Sequence, residues 1–438
     1  MIQISDFSKL AGLVTIFISF SCLPLKLSGQ KSELKFTHFY VEMPLEPSSY
    51  GTGGFSVNDY DNDGDMDITI QRRTGKVYWY RNVGSEKWEK YEIADGIFDQ
   101  LGSAIVDVNR DGMTDLVMGG YWIANPGNLA DNPAQKWIKH KYEGGMTGSE
   151  NHDIVASDIN NDGIPDIIAY SQRFNDTSGV MRWYDTSDPY NWKFHDIDTN
   201  VNKREKPEWN NGIHAGFAPN GVGDLNNDGR CDIVLPSGWY ENPSNPVADK
   251  WFLHRWSDYG LEIGIPKTPY GTSLRSWIID LNNDGSNDIV ITDCDVQNSR
   301  SYIIMNIKGA KRFKLKPLPF PEGSSGSLHS LSVADVDNDS DLDIFSGEQE
   351  DPDNMMKPKG LAERGFIWIN TGTKRKPRFS YQIVHTDNPG WHDTVLKDVD
   401  GDGDIDLMTK VWNADEGTDG NPDRKWHISY WRNELIKK

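Results

Sequence analysis

Seven short stretches of this 438-residue chain repeat one acidic pattern, D-x-[DN]-x-D-[GS]-x-x-D. They begin at Asp59, Asp107, Asp158, Asp224, Asp280, Asp335 and Asp398, with spacings of 48, 51, 66, 56, 55 and 63 residues. Each presents side-chain oxygens at positions 1, 3, 5 and 9 and a backbone carbonyl near position 7. That set suits calcium, which takes six to eight oxygen ligands. The donors are Asp59, Asp61, Asp63 and Asp67, then Asp107, Asn109, Asp111 and Asp115, then Asp158, Asn160, Asp162 and Asp166. The fourth and fifth copies supply Asp224, Asn226, Asp228 and Asp232, and Asp280, Asn282, Asp284 and Asp288. The last two supply Asp335, Asp337, Asp339 and Asp343, and Asp398, Asp400, Asp402 and Asp406. So many carboxylates in one turn repel one another unless a cation sits among them. The seven copies hold 27 of the 66 acids, and seven divalent ions would offset +14 of the formal charge of −21. Gly at position 6 permits the sharp turn, and Ser340 in the sixth copy predicts local strain. The loop is not an EF-hand, because position 12 is Ile70 or Met118 where a Glu ligand would stand.

A second register concerns proton chemistry. His152, His329 and His392 each precede the first Asp of their motif by six residues, in "HDIVASD", "HSLSVAD" and "HDTVLKD". His38, His140, His195 and His254 instead end a K-[WF]-x-x-H-like stretch, which points to packing or a surface role.

The elements that position these residues follow from the text around the motifs. Short β-branched runs follow each acidic turn: "DITI", "DLVM", "DIIAY", "DIVL", "DIVI", "DIF" and "DLM". They have strand character and no helical period. A third strand recurs as "VYWYRN", "GYWIANPG", "MRWYD", "GWYENPS", "SYIIMN", "FIWIN" and "SYWRN", and a fourth as "KWEKY" through "RFSYQ". The unit is inner strand, calcium turn, second strand, then strands three and four. Seven such units predict an all-β, seven-bladed β-propeller with four-stranded blades. The last unit lacks a fourth strand, and residues 35–40, in "LKFTHFY", supply one that closes the ring and removes an open sheet edge.

In this topology the turns occupy one face of the disc. The starts of the inner strands and the ends of the second strands meet on the other. The three register His belong to one ring there, contributed by blades three, six and seven. Arg275 opens the inner strand of blade five, and Lys410 ends the second strand of blade seven. Arg72, Tyr170 and Glu348 lie at other second-strand ends, and the insertions 200–221, 348–365 and 411–426 emerge on the same side. Such loops are often binding loops. His214 lies in the first, and Trp209, Trp391 and Trp412 offer flat faces for sugar rings. This equipment suits elimination beside a carbonyl or carboxylate, with His152 as base, Lys410 or Arg275 stabilising the enolate, and His329 or His392 as acid. The roles permute. Two other readings stand beside it: hydrogen-bonded channel residues without a reaction, and three ring His holding a further divalent transition metal.

With these motifs in place, the chain resembles the FG-GAP/VCBS-type calcium-binding propellers over essentially its whole expected mature length. "GVGDLNNDGRCDIVLPSGWYENPSNP" and "HSLSVADVDNDSDLDIFSGE" are similar to the propeller domain of aldos-2-ulose dehydratases and related propeller polysaccharide lyases. The resemblance implies a carbon–oxygen lyase or dehydratase acting on a poly- or oligosaccharide or a keto-sugar by β-elimination, without the extra cupin domains of those dehydratases. Members of the wider family also include integrin-like adhesion propellers, so a non-catalytic glycan- or protein-binding propeller is the alternative.

The acidic balance disfavours nucleic acid and anionic membrane surfaces. Lys9 followed by "LAGLVTIFISFSCLPL" and "KLSGQ" predicts an export signal over residues 1–29 and a single propeller domain over 30–438, secreted or periplasmic. A lipidated Cys22 is the lesser alternative, since "SFSC" is a poor lipobox. No second segment is long and apolar enough to span a bilayer. Three Cys do not make a disulfide scaffold, and whether Cys231 and Cys294 pair is left open.

Overall fold

A computed structural model describes residues 33–45, 51–84, 86–98, 101–146, 151–172, 179–201, 212–264, 271–350, 356–387, 390–412 and 427–436. The expected export signal at 1–29 and the insertion residue Trp209 lie outside them. The described chain forms seven antiparallel four-stranded blades. Blade three shows the plan, with Asn151–Ser157 innermost, followed outward by Asp166–Ser171, Val180–Asp185 and Lys193–Asp198. Second strands are buried on both faces because both are covered: all six residues of Asp67–Arg72 are buried. Outer strands alternate, as Phe379–Thr386 does, because only one face meets the core.

The last blade is closed as expected. Phe36–Glu42 pairs with Ile428–Asn433, with Phe36 opposite Asn433 and Tyr40 opposite Ser429. The edge strand is therefore joined to the C-terminal one, and the sheet has no open third strand. Blade five departs from the plan: the short strands Ile213–Ala215 and Pro219–Asn220 pair in parallel with its inner strand Thr272–Ile279.

The core is a ring of interfaces. Among the described residues each apolar cluster spans one blade boundary. Trp79 and Leu116 join blades one and two, Tyr170 and Ile233 join three and four, and Tyr430 and Ile68 close seven onto one. Each boundary buries aromatic side chains, at roughly 1.5–3 kcal/mol per fully buried large apolar residue. Four K-[WF]-x-x-H His stack on a cross-strand Trp as packing residues: His140 on Trp122, His195 on Trp183, His254 on Trp239 and His38 on Trp431, with ring centroids 4.1 to 4.5 Å apart.

The acidic turns are built by their own backbone. In every copy the first Asp accepts the N–H groups of positions 5 and 6; for Asp398 these are Asp402 at 3.1 Å and Gly403 at 3.0 Å. Position 4 is left-handed in all seven turns, from Asn62 (φ 58) to Gly401 (φ 71), which explains why Asn and Gly dominate there. Position 6 is left-handed too, and Ser340 is held at φ 71, so the strain expected of it is present. The Asp at position 9 is fully buried, as Asp406 is. Its oxygens accept the N–H of position 2 and that of the third strand's last residue, Val399 at 3.0 Å and Asn433 at 2.7 Å. That Asn then donates its side-chain amide to the turn of the preceding blade: Asn433 to Val336 O at 3.1 Å, Asn125 to Tyr60 O at 2.8 Å and Asn306 to Leu225 O at 2.7 Å. The turns are thus stitched blade to blade.

Candidate functional site

On the turn face the oxygens fit a hard cation. Asp59, Asp61 and Asp67 bring ligand atoms within 4.8 Å of one another, as do Asp335, Asp337 and Asp339. Asn282 Oδ1, a position-3 donor, is buried without a hydrogen-bond partner, an arrangement that is costly unless a cation meets it; Asp341 Oδ1 and Asp404 Oδ1, at position 7 outside the expected side-chain donor set, are buried likewise. Burial raises the position-9 carboxyls, Asp67 to about 8 and Asp232 to about 7. Blade one differs: the Arg81 guanidinium lies 2.6 Å from Asp61 and 3.2 Å from Asp63, so an internal cation already occupies part of that cage.

On the opposite face the structure gathers the register His. His329 and His392 stack with ring centroids 3.6 Å apart, and His152 lies 6.2 Å from His329. A β-bulge between Asn151 and Asp153 turns His152 off the inner-strand ladder. Its Nδ1 lies 2.9 Å from Asp153 Oδ1, while Asp153 Oδ2 accepts the N–H groups of Gly216 at 2.7 Å and Phe217 at 2.9 Å. Burial alone would raise the Asp153 carboxyl. The hydrogen bond and charge of His152, with the Arg275 guanidinium, bring it down to about 2.

Arg275 ties the ring together. Its Nε donates to His329 O at 2.8 Å, and its guanidinium lies 3.7 Å from Asp153 and 3.8 Å from Asp393. Lys410 is fully buried and pairs with Asp393 at 2.6 Å. His392 Nδ1 lies 3.2 Å from the same carboxylate. Burial lowers His392 to about 4 despite Asp393, and pushes His329 well below the usual imidazole range, helped by the neighbouring His392 and Arg275. Lys410, and to a lesser degree His392 and Arg275, hold the Asp393 carboxyl well below its ordinary range against the effect of burial.

His214, expected on this face from its place in the first insertion, joins this group. It lies on the parallel strand Ile213–Ala215, 4.5 Å from the His152 ring, with Nδ1 2.9 Å from Gln172 Oε1. Burial, with the nearby His152, lowers it to about 3. Three carboxylates at the site were missed: Asp153, Asp393 and Asp295. The first two follow His directly in the paired "HD" of "HDIVASD" and "HDTVLKD", a signal present in the text. Asp295, just past the second strand of blade five, carries none.

Other expected site residues are placed elsewhere. Trp391 is fully buried, packs on Trp431 at 5.1 Å and lies beneath Gly347, so it is a core residue and not a sugar platform. Glu348 is fully buried and paired with Arg364 at 2.6 Å, which ties it to the blade-six framework. Tyr170 is also core; its hydroxyl donates to Ile213 O at 2.6 Å, which positions the strand carrying His214. Arg72 sits within blade one, where its charge acts on Tyr80. Trp412 remains at the mouth, stacked 5.4 Å from His392 with Arg73 over its ring. Cys231 and Cys294 are free thiols. No helix among the described residues is long and apolar enough to cross a membrane.

The FG-GAP-like repeat family matches residues 59–118 and 280–346. A T-cell immunomodulatory protein homolog of Plasmodium falciparum is 22% identical over 283 residues, 56% of this chain and 36% of that protein. Integrin alpha pat-2 of Caenorhabditis briggsae is 24% identical over 257 residues, 52% of this chain and 20% of that protein. Cartilage acidic protein 1 of Mus musculus is 23% identical over 437 residues, 88% of this chain and 62% of that protein. The chain thus spans less than two thirds of each of these relatives. Among solved structures, AofleA from Arthrobotrys oligospora aligns over 79% of this chain and 90% of its own, at 10% identity and a TM-score of 0.39. The chain carries FG-GAP-like repeats in a seven-bladed β-propeller. No lyase or dehydratase is among the relatives named here.

Proposed function

We propose that the chain is an extracellular, calcium-braced binding propeller. Its recognition surface is the channel mouth opposite the calcium turns, and its partner is a protein or a glycan. The observation that carries this reading is the state of the charges at the mouth. The cations are already paired, Lys410 with Asp393 and Arg275 between Asp153 and Asp393. Burial keeps His329 and His392 neutral at neutral pH, so neither holds the proton a general acid would deliver. A rigid, prepaired surface of this kind suits recognition. The integrin alpha relative supports a protein partner of the adhesion type. Residues 1–29 are the proposed export signal and 30–438 a single propeller domain, with calcium at the seven turns and blade one the weakest site because Arg81 competes there.

The test is capture by the immobilised, calcium-loaded chain on an array of extracellular proteins and glycans. Expected is capture that Trp412→Ala and His392→Ala abolish without changing the melting temperature by more than a few degrees. Absence of capture, or capture indifferent to both variants, overturns the reading.

A second reading is favoured by one feature. The Asp153 carboxylate behind His152 holds the imidazole in one orientation. With Lys410 and Arg275 nearby, this is the equipment for removing an α-proton and holding an enolate. On this reading the chain cleaves or dehydrates a sugar by β-elimination. Ultraviolet absorbance of an unsaturated product from mixed polysaccharides or keto-sugars, lost in His152→Ala, would replace the binding reading.

A further inference from the structure

We propose that His152, His214 and Asp295 form a transition-metal site of the zinc class at the channel mouth, separate from the calcium turns. One ligand atom from each lies within 4.8 Å of the others, and all three residues are buried. Around a tetrahedral ion with bonds near 2.1 Å, ligand atoms stand about 3.4 Å apart. Closing the set therefore takes side-chain shifts of about 1 Å. Two nitrogens and one carboxylate are the donors zinc prefers, and calcium, which wants oxygen alone, is disfavoured.

The surroundings prepare each donor. His152 Nδ1 donates to Asp153 at 2.9 Å, and His214 Nδ1 donates to Gln172 Oε1 at 2.9 Å. In both imidazoles the lone pair is then on Nε2. A hydrogen-bond acceptor behind the ligating imidazole is the usual support of a metal-bound His. Asp153 is itself fixed by backbone N–H groups of Gly216 and Phe217, in the segment that follows His214.

Asp295 supplies the independent sign. It is 5% exposed, and its Oδ2 has no hydrogen-bond partner. A buried carboxylate oxygen left so is costly without a cation. Its backbone stands at φ 58, and its N–H donates to Ser327 Oγ at 2.8 Å. Strain of this kind in a non-Gly residue persists where surrounding structure enforces it and collects at functional positions. Oδ1 lies 3.8 Å from His329 Nε2, which places a third imidazole at the edge of the site. The fixed charges agree: two cations, Arg275 and Lys410, stand among three carboxylates, Asp153, Asp295 and Asp393.

Three protein ligands leave a coordination position for water or for a partner's carboxylate or carbonyl oxygen. This last step rests on the mouth being the recognition surface; the metal site itself does not.

The experiment takes the full chain, strips it of transition metal, restores calcium, and titrates Co2+ and then Zn2+. Expected are a visible Co2+ absorption band that saturates at about one ion per chain and is displaced by Zn2+ but not by Ca2+. His214→Gln and Asp295→Asn should weaken Zn2+ binding by at least about a hundredfold, and Gln172→Ala, behind the ligand, by about tenfold or more. His140→Ala, on an outer strand, should bind as wild type does. Lack of a Co2+ band in the folded wild type overturns the site, as does undiminished Zn2+ affinity in His214→Gln and Asp295→Asn. Because wild type decides the first point, misfolding of a variant does not shelter the proposal. Zn2+ binding without capture on the array sustains the metal site and removes the recognition reading; capture by a chain that binds no Zn2+ does the reverse.

Discussion

The two faces of the disc solve the problem of buried charge in opposite ways. On the turn face, carboxylates are repeated seven times and anchored by backbone N–H groups, with some side-chain oxygens buried without a hydrogen-bond partner, as the proposed calcium ions require. At the mouth, carboxylates are few and belong to different blades; Asp153 and Asp393 are answered by the chain's own Arg275 and Lys410, while Asp295 keeps a buried oxygen without a hydrogen bond. On the proposed reading, this contrast assigns architecture to the turn face and recognition to the mouth. A device copied into every blade does a job every blade shares. A device built once, from blades three, five, six and seven and one insertion, belongs to the propeller as a whole. Blade one tests the rule from inside, because Arg81 there forms with Asp61 an internal ion pair like those at the mouth.

Acid should separate the faces most strongly. His214, His329 and His392 have folded-state pKa values below the unfolded value, about 3 for His214 and about 4 for His392. Between about 6.5 and 4 the unfolded chain binds protons that the folded chain refuses, so stability falls as pH falls through that window. For His392 alone the loss is at most about 3 kcal/mol by pH 4. The triple variant His214→Gln/His329→Gln/His392→Gln, kept in calcium and free of transition metal, should flatten this part of the stability–pH curve. An unchanged curve means the mouth imidazoles are not held neutral.

The next effect concerns a single pair. Lys410→Met leaves Asp393 without its closest cation, and should cost roughly 3 kcal/mol in denaturant unfolding, the low end for a buried pair, because the Asp393 side chain keeps 31% of its surface exposed. A loss under about 0.5 kcal/mol would mark the pair as no stronger than a surface ion pair. The smallest effect is on the turn face. Ser340→Gly relieves a left-handed serine and should stabilise by about 1 kcal/mol. Destabilisation would mean that the Ser340 hydroxyl has a role the turn geometry does not reveal.

The same contrast explains how much was legible in the sequence. The turns, the blade plan and the closing N-terminal strand could be read because a repeat declares its period, and Asp59 to Asp406 fall on it. The ring of His152, His329 and His392 was legible for a related reason, a shared distance from the motif. Arg275 and Lys410 followed from topology. Beyond the period, burial and tertiary pairing decide, and neither shows in local text. Trp391 has the flat face of a sugar platform and lies in the core; Glu348 lies at a second-strand end on the side of the insertions and answers Arg364; Tyr170, at another such end, supports His214 through a backbone carbonyl. Asp295 reaches the site only because the chain leaves the second strand of blade five in a left-handed turn, which no propensity of Asp would predict.

If cations at the turns hold the ring, its response to calcium does not depend on the mouth imidazoles. Calorimetric melting of wild type and of His152→Gln/His214→Gln, each in saturating calcium and after chelation, tests it directly. At calcium a hundredfold above its dissociation constant, each occupied turn adds about 2.7 kcal/mol. The account predicts a large fall in melting temperature on chelation, of the same size in both proteins and reversed by Ca2+. A melting curve indifferent to chelator, or a calcium response present in wild type and absent from the mouth variant, would contradict it.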